Sequence, residues 1–60
     1  MNEYVMQSIS ICNQIITLLE MDYQELYKHL QGEIYDEYKM LILEEIERVT
    51  RIKQELSLIL

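Results

Sequence analysis

Apolar residues recur through the first half of the chain at Val5, Ile9, Cys12, Ile16, Leu19, Tyr23, Leu26 and Leu30. Steps that alternate between four and three return to one side of an α-helix and form the seam that one helix presents to another. No charged side chain interrupts the run from Tyr4 to Leu19. The pattern predicts a helix over about residues 3–30.

Carried forward in heptads, the same seam would turn Glu33, Glu37, Glu44, Glu47 and Arg51 inward. A new phase begins instead, at Tyr38, Ile42, Val49, Ile52, Leu56 and Ile59, with Ile46 covering the step where Glu45 would otherwise face the core. The slip coincides with Gly32, the one glycine, placed after Leu30 and Gln31 where a left-handed helix cap belongs. Lys28 and His29 suit the negative end of that helix. A second helix over about residues 36–59 follows, with Asp36 as its candidate N-cap and a turn over about 31–35. The expected fold is all-α, a single antiparallel two-helix hairpin spanning 1–60, with one continuous helix kinked at Gly32 as the alternative. In such a hairpin Leu56, Ile59 and Leu60 return beside Val5, Ile9 and Cys12.

One partner helix cannot cover everything that the first helix offers. Tyr4, Ile11, Ile15 and Leu18 form a second apolar stripe beside the seam. Dimerisation into a four-helix bundle is the economical way to cover it, and a groove on a different protein is the other. The expected self-association or partner surface is Val5, Ile9, Ile11, Cys12, Ile15, Ile16, Leu18 and Leu19.

Composition narrows the function. Eleven acids against five bases give a net charge of −6, and the bases are scattered, which disfavours nucleic acid and an anionic membrane surface. The uncharged run lacks a basic flank before it and is broken by Gln7, Ser8, Ser10, Asn13, Gln14 and Thr17, so neither a signal peptide nor a membrane span is expected. Cys12 is the single cysteine and sits on the seam, as a reduced core thiol in the cytoplasm would. A chain of 60 residues buries little surface alone, which again points to a partner chain.

Catalytic and cofactor chemistry is not expected. The single His29 and the single Cys12 lie about 25 Å apart along one helix, beyond reach of a nucleophile and base pair. Asp22, Glu25 and His29 share a helix end without the spacing or the second histidine of a carboxylate-bundle metal site, so no metal and no cofactor are assigned. Glu44 with Arg48, Glu47 with Arg51 and Arg51 with Glu55 are four-spaced charge pairs on a solvated face. Glu37, Glu44 and Glu47 belong to an acidic surface, and Tyr27 and Tyr35 to a tyrosine-rich tip around the turn that could serve recognition.

The segments IITLLEMDYQELYKHL and DEYKMLILEEIERVTRIKQEL resemble the helical pattern of flagellar export chaperones of the FlgN and FliT type. Both have a Leu-Leu-Glu start, a short gap, and a second helix with Lys followed by Leu-rich heptads. The resemblance implies a chaperone that shields a client helix. The residues themselves favour a small acidic regulator or inhibitor, antitoxin-like or a phage-type antagonist of a host protein. It would bind a protein partner through helix-to-helix contacts and form a homodimer, while a structural subunit of a larger complex is a further alternative.

Overall fold

The computed structural model describes residues 2–60 as two antiparallel helices, α1 (Glu3–Glu25) and α2 (Gly32–Ile59), with a single 3₁₀ turn, Leu26–Lys28, after the first. Asn2 starts α1 by accepting the Val5 N–H on its side-chain oxygen at 3.2 Å, which satisfies one of the donors that a helix start leaves free. The two helices lie side by side in a slab of 48 × 15 × 11 Å, with their own contact line as its core.

Val5, Cys12, Leu26, Ile42 and Val49 are the buried residues, and Ile42, 1% exposed, is the most enclosed. Ile9, Ile16, Leu19, Ile46 and Leu56 flank them at intermediate burial. The expected α1 seam therefore lies where the hairpin closes, and Cys12 is a free thiol inside it. On α2 the seam runs a little differently. Tyr35 and Lys53 lie half-buried near it, whereas Ile52, Ile59 and Leu60 remain exposed. Ile52 and Ile59 lie roughly a quarter turn from the line through Ile42 and Val49 and cannot share one contact with it.

The turn also differs in detail from its expectation. The α-helix ends at Glu25 rather than near residue 30, because the chain tightens after it: the carbonyl of Leu26 accepts both the His29 N–H at 3.1 Å and the Leu30 N–H at 2.9 Å. Helix α2 begins at Gly32, four residues before the candidate cap Asp36, after Gln31 in extended conformation. Gly32 does adopt the left-handed backbone anticipated for it, at φ +70, but it opens α2 instead of capping α1. Nothing stands within 4 Å of where its Cβ would be, so the need for glycine is one of backbone conformation alone.

Gly32→Ala is accordingly expected to destabilise the hairpin by about 1 kcal/mol, or roughly 4–8 °C in Tm. Gly32→Asn should lose less, since Asn tolerates the left-handed region. Thermal melts followed by circular dichroism check this; a gain in Tm for the alanine variant would mean an uninterrupted helix, where alanine is preferred over glycine.

Candidate interaction surfaces

Helical phase sorts the residues that α1 was expected to use for association. Val5 and Cys12 are occupied by the chain's own α2, and Ile9, Ile16 and Leu19 are partly covered by it. Ile11, Ile15 and Leu18 stay open, with Leu18 64% exposed, and Tyr4 continues their line toward the helix start. Of the eight expected interface residues, those buried against α2 are not free to meet a partner while the hairpin is closed.

A second stripe on α2 escaped the sequence reading. Ile34, Leu41, Ile52 and Ile59 are exposed and share one side of that helix, with Glu45 and Arg48 between them. In α1 the open stripe precedes the core line in angular order by about a quarter turn, and the same is true in α2. Because the helices run in opposite directions, equal angular offsets fall on the same broad side of the hairpin. One broad face is thus apolar across both helices. The opposite face carries Asn13, Gln24, Lys39, Thr50 and Ser57, with a shallow groove lined by Glu20, Tyr23, Gln24, Leu43 and Ile46.

The size of the uncovered surface is informative. The chain exposes 4901 Å² at a mass of 7.3 kDa, whereas a compact monomer of that mass exposes about 4,200 Å². The excess, about 700 Å², is close to the roughly 800 Å² that each partner contributes to a standard protein interface.

Charges lie along the edges of this slab and, at Glu45 and Arg48, within its apolar face. None of the three four-spaced pairs expected on α2 closes. Arg48 instead reaches back one turn to Glu45, its Nε donating at 2.9 Å, and Lys28 pairs with Glu25 at 3.1 Å. Glu45 wins because it lies half-buried beside the core line, where its carboxylate is held near Arg48, while Glu44 points to open solvent. Glu37, Glu44 and Glu47 are all exposed on the outer edge of α2, with Asp36 and Met40 among them. The tyrosine tip is split: Tyr27 is exposed with Lys28 Nζ at 6.0 Å from its ring, and Tyr35 is half-buried with Lys39 Nζ at 5.8 Å.

Tyr38 and Asp22 make the one side-chain hydrogen bond between the helices among the described residues, the hydroxyl donating to the carboxylate at 2.5 Å. The bond raises the Tyr38 pKa above its ordinary value, first by the hydrogen bond itself, then by the Asp22 charge and by desolvation. It also sets the register, with Asp22 level with Tyr38 and, by the same count, Cys12 near Val49 and Leu19 near Ile42.

Among the described residues no group of three or more His, Cys, Asp or Glu side chains is placed to hold a metal ion, and no helix is long and apolar enough to cross a membrane. No family model, no curated protein and no solved structure matches this chain. The likeness to flagellar export chaperones therefore remains one of helical pattern.

Because Tyr38 must be protonated to donate, its contribution is full below its unfolded pKa near 10 and is lost as pH rises through the higher folded value. Tyr38→Phe is expected to lower Tm by a few degrees at pH 7, and the gap to the unaltered protein should shrink above pH 10. Melts across that range check the sign; a gap that widened with alkali would contradict the assigned donor.

Proposed function

We propose that this chain is a small non-enzymatic regulator or inhibitor that binds other protein through helix-to-helix contacts and self-associates, two hairpins forming a four-helix bundle. The observation that carries the reading is the apolar broad face, on which Ile11, Ile15 and Leu18 of α1 lie exposed beside Leu41 and Ile52 of α2. A contiguous apolar face is unfavourable in water and is relieved by packing against protein. The net charge of −6 supports a protein partner over nucleic acid.

Two surfaces remain open when the broad face is covered. The outer edge of α2, with Glu37, Glu44 and Glu47, offers negative charge to a basic partner surface, and Tyr27 offers an exposed aromatic at the tip. Either suits recognition in which charge guides encounter and an aromatic ring supplies contact area.

The test is affinity purification of the tagged chain from the cells that make it, after cross-linking. One other protein is expected in stoichiometric amount, with recovery reduced at least tenfold when Glu37, Glu44 and Glu47 are changed to Lys or Tyr27 to Ala. Recovery of the chain alone would overturn the regulatory reading, and a client that stays soluble only in its presence would replace it with the chaperone reading.

A further inference from the structure

We infer that the apolar broad face is the seat of a second copy of this chain, bound head to tail about a two-fold axis perpendicular to the helices. The inference rests on the reading above that the chain works through helix-to-helix contacts, and it adds which surface is used, by what occupant and in what register.

The pattern on α2 carries it. About the midpoint between Ile46 and Glu47 the exposed stripe reads the same in both directions by chemical type, with Leu41 mirrored by Ile52 and Ile34 by Ile59. Arg48 is mirrored by Glu45. Two such helices laid antiparallel set each apolar side chain against an apolar one, and Glu45 of each copy against Arg48 of the other. Helix α1 has a centre of its own between Gln14 and Ile15, about which Ile11 mirrors Leu18 and Ile15 falls near the axis. These two centres stand within one residue, roughly 1.5 Å, of the same height along the hairpin, because the register fixed by Tyr38 and Asp22 brings Gln14 level with Ile46 and Ile15 level with Glu45. A single axis therefore serves both helices. That is the condition for an isologous dimer, in which one patch meets itself.

The parallel alternative fails on the same residues. With both turns at one end, α1 of one copy lies over α2 of the other at equal height. In that register Glu45 would press on Ile15 and Arg48 on Ile11, leaving charges against apolar side chains without partners, while of the stripe residues Leu18 would meet Leu41. The head-to-tail arrangement instead closes the two Glu45–Arg48 pairs into a ring of four charges that alternate in sign. The area fits as well, since the excess exposed surface is about that of one side of a standard interface.

Charge reversal at the centre tests the arrangement, read by light scattering over a concentration series with circular dichroism alongside. The unaltered chain is expected at twice 7.3 kDa. Arg48→Glu puts four negative charges at the centre and Glu45→Arg four positive ones, and each variant is expected to shift to monomer at least tenfold more readily. The double variant Glu45→Arg with Arg48→Glu restores the ring and the dimer. Mixing the two single variants should give a heterodimer, because each supplies what the other lacks. If the single variants fold only when paired, the same mixture recovers helicity, so the prediction survives loss of the monomer fold.

A monomeric unaltered chain would overturn the second copy while leaving a different protein free to take the face, so the regulatory reading would stand. Dimers of both single variants, or a mixture and a double variant that stay monomeric, would overturn the head-to-tail register. A dimer of the expected register that captured no other protein would leave the inference intact and remove the regulatory reading instead.

Discussion

Two helices lying side by side have one line of contact, and that limit governs this molecule. A helix packed against a single neighbour hides one stripe about two residues wide, which here means Val5, Cys12 and Leu26 facing Ile42 and Val49. Each helix carries more apolar side chains than such a stripe holds. Ile11, Ile15 and Leu18 on α1 and Leu41 and Ile52 on α2 are part of the remainder, and geometry directs them to one side of the slab, while Met6 and Leu43 are exposed on the other. The outcome is an asymmetric slab in which one broad face is more continuously apolar than the other. The core itself is thin. A domain of this size gains little from burial relative to the conformational entropy it loses, so a partner on the apolar face would contribute to folding as well as to binding.

The connection between the helices decides which side chains meet. Six residues, Leu26 to Gln31, reverse the chain, and they do so by tightening into a 3₁₀ turn, extending at Gln31 and turning left-handed at Gly32. Shortening α1 in this way brings Leu26 inward at the closed end, where it is buried. One further constraint then sets the height of α2 against α1, the hydrogen bond from Tyr38 to Asp22. Apolar contacts alone tolerate sliding by part of a turn, whereas a short bond between two polar groups does not.

The two-helix architecture and the α1 seam are legible in the residues, because a four-three alternation over 26 positions has one interpretation. Less legible was the division of apolar residues on α2 between a core stripe and an outward stripe. Ile52 and Val49 are both β-branched and three apart, so spacing admits them to one seam, yet only Val49 faces α1. Periodicity reveals that a helix has a wide apolar arc but not which part of the arc its own hairpin covers. The helix ends were displaced for a related reason. Glycine after a helical run signals a left-handed residue, and Gly32 is one, but the signal does not say on which side of it the helix lies. Arg48 likewise has two carboxylates in the preceding turn, Glu44 and Glu45, and half-burial of Glu45 decided between them.

Charges in the middle of an apolar stripe look like a defect and have a physical consequence. In a single hairpin the Glu45–Arg48 pair is largely solvated and contributes little. Within an interface it would be stabilised less than well-packed apolar side chains in the same volume. In the proposed dimer, what it would supply is register. Slid by one heptad, two antiparallel copies of α2 would still match Leu41 with Ile59, so hydrophobic contact alone distinguishes the alternatives weakly. The same slip sets Arg48 against Ile52 and brings Glu45 near Glu55, leaving a cation without a partner and two anions together. A stripe made wholly of isoleucine and leucine would bind more tightly in several registers; with one charged pair at its centre it favours one.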